Sequence, residues 1–412
     1  MKKITAIIAF VGLGILMSAN AQIRLDNAKT YASQKKQYYD KAKIEIDAAC
    51  EDEATKSNPE VWAWKGYIYC CLGNSTKPKH QKVTPENWAD IAYEAALKCK
   101  ELNTDKDAKL IDFNNAVFKN VAGKYIDDAF TDYENAGNKD DTNLYRSCIA
   151  KVEKGIKVYQ AAGASNDQEI KKSLNYARYI GGAAARVLGD NETVIKFFNP
   201  LVRGGYDKEY VYTSLVTIYQ RKNDTVNAVK VAQNFTKNRK DDQNAYLLAA
   251  KVYAWANNKE KANENAQVAV AKAAAIDDPN QKANLICGIA DVYADMLDYE
   301  TAEARFNEAL TMTPDNPVVY NGLARMEFNH GVDILLKAND VPVEDETGLY
   351  DKLTAEGKSK YEKAIEYYKK SLSVNNRSNE QLQARYKEAF DGLKTVYVRA
   401  NKNLDELKAY AQ

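Results

Sequence analysis

The chain has 412 residues, 45% of them hydrophobic, enough for two or three globular domains or for one continuous repeat array with a sizeable core. Its 58 basic and 57 acidic residues nearly cancel. A nucleic-acid binder is expected to be more basic, so that class of partner is set aside.

Taken in chain order, the first element is Lys2 and Lys3, an apolar run from Ile4 to Met17, and the small-residue stretch Ser18-Ala19-Asn20-Ala21. Residues 1–21 read as a secretory signal, with an apolar run shorter than the about 20 residues a bilayer crossing needs. No Cys stands at the expected cleavage point, which argues against a lipoprotein. No later segment is apolar enough to span a membrane, so the reading is an exported chain, periplasmic in a Gram-negative cell or secreted. The six cysteines Cys50, Cys70, Cys71, Cys99, Cys148 and Cys287 would then enter an oxidising compartment. Their spacing matches no zinc or redox motif, and a bridge among Cys70, Cys71 and Cys99 stands beside the alternative that they are small buried hydrophobes.

Residues 22–174 read as degenerate helical repeats. "QYYDKAKIEIDAA" and "NPEVWAWKGYIY", with Trp62, Gly66 and Tyr69, are amphipathic, and "WADIAYEAAL" partners the second. The basic stretch "GNSTKPKHQKVTPEN" at 73–87 interrupts them as an inserted loop. Residues 106–170 read as two or more helices without a register.

From 175 to 316 a spacing of 34 recurs. Arg178, Gly182, Ala185, Gly189, Val194 and Phe198 begin it, and Tyr212/Tyr246, Tyr219/Tyr253, Asn223/Asn257 and Ala228/Ala262 continue it. Each unit carries two apolar stripes at i, i+3, i+4 and i+7, parted by stop and cap residues such as Asn223-Asp224-Thr225. After an insertion around Asp277-Asp278-Pro279 the spacing resumes at Ile286, Ala290 and Tyr293, then "DYETAEARFNEALTMTP". Residues 317–412 hold a split unit, with Tyr320, Leu323 and Ala324 in its first helix and "YEKAIEYYKKSL" as its second. An insertion at 332–359 divides them and, by its apolar spacing, lengthens both helices into a hairpin that could dock a partner. "FDGLKTVYVRANKN" reads as a terminal pair.

This pattern resembles the tetratricopeptide repeat, a 34-residue helix-turn-helix with a bulky residue, Leu-Gly, Tyr, Gly, Ala, Phe, Ala and Pro at fixed offsets. Residues 283–316 match best. The resemblance implies an all-α fold, a right-handed superhelical solenoid of antiparallel helix pairs. Ala250, Ala262, Ala290 and Ala302 fall where two helices of a pair approach most closely, and Tyr212, Tyr219, Tyr246, Tyr253, Tyr293 and Tyr299 fall where the core is filled.

The resemblance also implies that ligands meet the inner, concave face of the first helices. At the matching positions stand Tyr210, Thr213, Thr217, Gln220 and Arg221, then Asn244, Lys251 and Trp255, then Asn284, Asp291 and Asp295, then Asn321, Arg325 and Asn329. A spacing of four puts Lys251 with Trp255, Asp291 with Asp295, and Asn321 with Arg325 on shared faces. Such a surface suits an extended peptide or a polar protein partner, with Trp255 as an anchor; the plainer reading is a set of exposed ion pairs between units. The carboxylate-clamping pattern of Lys and Asn known in the family is not reproduced.

Catalytic chemistry has little to stand on. His80 and His330 lack a paired acid at motif spacing and read as solvated, and acidic pairs such as Glu344 with Glu346 read as charged faces. There is no phosphate-binding glycine loop or nucleophile elbow. The sequence therefore implies no cofactor, no metal and no enzyme, but a cell-envelope adaptor that binds a protein or peptide. Alternatives are a permanent subunit of an outer-membrane assembly or secretion complex, and an envelope protein that binds glycan.

Overall fold

The computed structural model describes residues 22–139, 141–163, 168–342, 347–374, 380–399 and 407–408. The expected signal segment and the Glu344 and Glu346 pair lie outside them. The described residues are helical with no strand among them, and none of their helices is long and apolar enough to cross a membrane. The chain divides into two compact units, 1–201 and 202–412.

In the first unit α1 covers 22–33, followed by α2 (Tyr39–Glu51), α3 (Pro59–Gly73), the four-residue α4 (Pro78–Gln81), α5 (Trp88–Leu102), α6 (Ala108–Lys139), α7 (Thr142–Ala161), α8 (Gln168–Val187) and α9 (Asn191–Arg203). Helices α3 and α5 pair, as do α6 and α7, and the first helices α3 and α6 also pack on each other. The unregistered stretch 106–170 thus proves to hold a 32-residue helix, the whole of the 20-residue α7 and the first residues of α8. Close approach is built into α3: a Cβ on Gly66 would stand 2.9 Å from Val117 and 3.3 Å from the Ala92 carbonyl oxygen.

The second unit runs α10 (Glu209–Arg221), α11 (Thr225–Asn238), α12 (Gln243–Trp255), α13 (Lys259–Ala273), α14 (Pro279–Asp295), α15 (Tyr299–Met312), α16 (Pro317–Asn339), α17 (Leu349–Val374) and α18 (Glu380–Arg399). Consecutive helices pair, and α14 packs on both α12 and α16. The insertion at 332–359 lengthens its two flanking helices to 23 and 26 residues, where most others of this unit have 13 to 15. The stretch expected as a terminal pair is, up to Arg399, the second half of the single helix α18.

The repeat has a local physical cause, visible at the turn inside four pairs, α8–α9, α10–α11, α12–α13 and α14–α15. Gly189, Asn223, Asn257 and Leu297 all have φ near +60 to +70°, the left-handed region. The residue after each sends its backbone N–H back to a carbonyl five positions earlier: Asp190 to Ala185, Asp224 to Tyr219, Asn258 to Tyr253 and Asp298 to Tyr293. That is the Schellman closure of a helix end. The same four side chains then accept from the N–H three residues on, at Thr193, Asn227, Lys261 and Thr301, and so cap the next helix. One residue ends one helix and starts the next, which fixes the turn length, and from Gly189 to Asn223 to Asn257 these turns fall 34 residues apart.

A second device recurs at the start of first helices. Trp62, Tyr212 and Tyr320 each donate a hydrogen bond to the carbonyl six residues back, at Lys56, Tyr206 and Pro314, over 2.7, 2.8 and 2.6 Å. Trp62 therefore holds the place in the first unit that Tyr212 and Tyr320 hold in the second. Ala250, Ala262, Ala290 and Ala302 are fully buried, as expected of contact points within pairs. Of the six tyrosines expected to fill the core, Tyr212, Tyr219, Tyr253 and Tyr293 are buried, whereas Tyr246 and Tyr299 are half-exposed, with Lys272 over the ring of Tyr246 and the Tyr299 hydroxyl bonded to Asp333.

Candidate functional site

In the second unit the expected partner face is a stripe across α10, α12, α14 and α16, and its members fare differently. Thr213 and Thr217 spend their hydroxyl protons on their own helix, on the carbonyls of Glu209 and Thr213. Asn244 reaches Glu209 at 3.5 Å, and Asn284 accepts from Asn316. Tyr210, Arg221 and Asn329 are exposed, and Gln220 and Trp255 half-buried. The Oδ1 of Asn321 is shut away from solvent with no hydrogen-bond partner.

Four charged members do converge. Arg325 of α16 binds the carboxylate of Asp291 on α14, and the two side chains are 39% and 22% exposed. One turn along α14, Asp295 is held above the usual carboxylate range by partial burial and by the charge of Asp291, with Arg325 and Lys251 acting in the opposite sense. Beneath them the Cys287 thiol is pushed up to about 12, mainly by burial. Gly288 makes room for Leu247, which a Cβ there would meet at 2.9 Å, and lies at ordinary contact distance, 3.7 Å, from the Lys251 Nζ. Three successive first helices thus bring two cations and two anions to one patch.

The first unit presents a first-helix face that the sequence did not single out. The trough between α3 and α6 holds two clefts. One, of about 380 Å³, is lined by Tyr39, Tyr67, Cys71, Asn74, Ser75 and Asn120 among others. The other, of about 580 Å³, is lined by Glu60, Trp64, Asn103, Asp107, Leu110 and Phe113 among others. Between them stand Trp64, Tyr67 and Phe113, whose ring centroids lie 5.1 to 5.5 Å apart. The signal available in the sequence was the spacing of Glu60, Trp64, Tyr67, Cys71 and Asn74, one helical face of α3.

Both histidines depart from expectation. His80 is fully buried, because the inserted stretch 73–87 folds back as α4 onto α2 and α3. Its Nδ1 lies 2.6 Å from the Ser75 hydroxyl, its Nε2 is 3.6 Å from the Asp40 carboxylate, and its ring packs on Tyr39. Burial holds it below the usual imidazole range, with Lys79 adding to the effect. His330 sits well inside α16, half-buried and stacked on Tyr299 at 4.0 Å, and is likewise lowered, first by burial and then by Lys360. All six cysteines are free in the structure, five of them buried and Cys71 half-buried at the smaller cleft. Among the described residues no group of three His, Cys, Asp or Glu side chains is gathered as a metal ion requires.

No family model and no curated relative matches the chain. Among solved structures it is similar to a tetratricopeptide repeat protein from Parabacteroides merdae, at 14% identity over 65% of this chain and 99% of that one, with a TM-score of 0.39. It is also similar to YrrB, described as a tetratricopeptide protein with an unusual peptide-binding site, at 18% identity over 45% and 95%, TM-score 0.30. A third is MamA, at 16% identity over 48% and 95%, TM-score 0.31. Likenesses of this degree carry no functional information about this chain, and its assignment as paired helices on a 34-residue interval rests on its own turns and caps.

Proposed function

We propose that this chain, an array of tetratricopeptide-like helix pairs, is a non-catalytic scaffold of the cell envelope that holds a protein or peptide partner on the first-helix face of residues 202–412. The observation that carries this reading is the convergence of Lys251, Asp291, Asp295 and Arg325 from three consecutive first helices. Rigid helices present these groups already placed, so binding does not first have to order a loop. Asp295 is more than a third exposed and shares its surroundings with another anion, which suits a partner that brings a cation to it. Export rests on the apolar leader Ile4 to Met17 with Lys2 and Lys3 before it.

The test is affinity capture from envelope extracts with the wild-type chain, with the pair Lys251→Glu and Arg325→Glu, and with Val226→Ser, an exposed second-helix position. A partner retained by wild type and Val226→Ser and lost from the charge-reversed chain supports the reading. Identical capture by all three would move the partner surface elsewhere. A fixed stoichiometric complex that never exchanges would point instead to a permanent subunit of an outer-membrane assembly.

A further inference from the structure

The lining of the larger cleft includes Glu60, Asp105, Asp107 and Lys109, and the smaller cleft beside it between α3 and α6 differs in composition. Its lining holds no side chain that is charged at neutral pH: the polar members are Gln37, Tyr39, Tyr67, Asn74, Ser75 and Asn120, with Cys70 and Cys71. Burial pushes the Tyr39 and Tyr67 hydroxyls and both thiols above their ordinary values, so all four keep their protons. In a chain that is 28% charged, a lining of ten residues without one charge bears on what the cleft can accept: an ion entering it would lose water, and the cation at its edge, the Lys77 Nζ, is already engaged by the Gln37 Oε1 at 3.1 Å. Its ligand is neutral.

The polar groups also share a property. Amides and hydroxyls each donate and accept. Asn74 donates to the Asn120 carbonyl oxygen over 2.9 Å, which fixes the orientation of both amides and leaves the Asn120 NH2 available at an exposed position. Ser75 already pairs with His80 and Gln37 accepts from Lys77, so the Asn120 NH2 is the donor left open, and an acceptor such as a sugar hydroxyl oxygen matches it. A peptide strand offers separate N–H and C=O groups at about 3.3 Å per residue and asks for a row of partners along the trough. Here the polar groups are gathered at one end, and the aromatic wall of Trp64, Tyr67 and Phe113 follows, suited to covering the C–H face of a ring.

We infer that the α3–α6 trough is a saccharide site, in which a neutral sugar residue occupies the cleft at Asn74, Ser75 and Asn120 and the next lies against Trp64 and Phe113. This goes beyond the partner surface of 202–412 and does not depend on it.

The experiment is calorimetric titration of the full chain with maltohexaose, cellohexaose and chitohexaose, and with the capped neutral peptide acetyl-(Asn-Ala-Gly)2-amide. Two variants accompany it, both at exposed positions in the cleft that leave the core untouched: Asn120→Leu removes the amide, and Ala116→Trp fills the mouth. The inference expects one of the hexasaccharides to bind in the millimolar range or tighter, and each variant to weaken it tenfold or more while circular dichroism and melting stay unchanged. It is overturned if none of the three saccharides binds, if saccharide binding survives both variants, or if the peptide binds instead with the same dependence on Asn120.

Discussion

The α3–α6 trough and the α12–α14–α16 stripe occupy the same place in their helix pairs, the face of the first helix, and their chemistry is opposite. The trough is uncharged at its smaller cleft and walled by three aromatic rings. The stripe is built of ions. The contrast continues inward. A fully buried polar side chain of the first unit, His80, is tied to Ser75, whereas one of the second, Glu327, is an acid set between Lys360 at 3.0 Å and Lys363 at 3.7 Å. The shared scheme of paired helices therefore leaves the exposed and interior polar positions free to specialise.

The largest effect that would sharpen this contrast lies at Glu327. Lys360→Met leaves a fully buried carboxylate facing only the more distant Lys363, and removing one partner of a buried pair costs about 3–5 kcal/mol. The melt of the second unit should fall by several degrees; an unchanged melt would mean that the Lys360–Glu327 contact does not help hold α16 to α17. Next comes Ala302→Trp. Ala302 has no exposed surface, and overfilling such a contact costs ~1–3 kcal/mol. The same thermal scan reads it, and a chain that tolerates tryptophan there would break the assigned register of the second unit.

How much of this was legible in the sequence follows from the same contrast. The 34-residue interval was readable because the residues that set it are few and chemically distinctive: Gly189, Asn223 and Asn257 supply the left-handed turn, and Asp190, Asp224, Asn258 and Asp298 the caps. The lengthened α16 and α17 were readable from apolar spacing, which persists through Val332, Leu335 and Leu353. The long α6 was not, because a single 32-residue helix takes up nearly the length that a whole helix pair occupies elsewhere, with no turn inside it to mark a register. The charged stripe was found because its members recur one unit apart, as Asp291 and Arg325 do. The trough was missed because its walls come from α3 and α6, whose register the insertion at 73–87 obscures. His80 was misread for a related reason: three lysines nearby suggest a solvated loop, and only the fold shows that α4 turns the imidazole inward while Lys77 and Lys79 remain outside.

Titration distinguishes the units at intermediate strength. Burial holds both His80 and His330 below their usual value of 6.5, so the folded chain binds fewer protons than the unfolded one below that pH. Their contribution to stability is complete above about pH 6.5 and is lost as the pH falls from there toward the lowered folded values. His80→Asn keeps a polar group beside Ser75 and removes the first unit's share, so its melt should shift less between pH 7.5 and pH 5.5 than that of wild type. An equal shift in both proteins would assign the loss to His330 and the second unit alone. A smaller gain is expected at Leu297, which occupies the left-handed position that glycine or asparagine fills elsewhere and is 60% exposed. Leu297→Asn should stabilise by about 0.5–1 kcal/mol, read as a raised melting temperature of the second unit.

The smallest effect bears most directly on what the charged stripe is for. Arg325 and Asp291 remain partly open to water, and an ion pair so placed contributes about 0.5–1 kcal/mol at most, less as salt screens it. Arg325→Ala should barely move the melt, and the shift should shrink further between 50 mM and 500 mM salt. If Arg325 exists to join α14 to α16, stability is the only thing the substitution can touch. If it exists to meet a partner, capture should fall many-fold while the melt stays put, because truncating an interfacial charge exposes the cost of leaving its opposite number unpaired. A large stability loss with capture intact would return the whole stripe to the status of ordinary inter-repeat ion pairing.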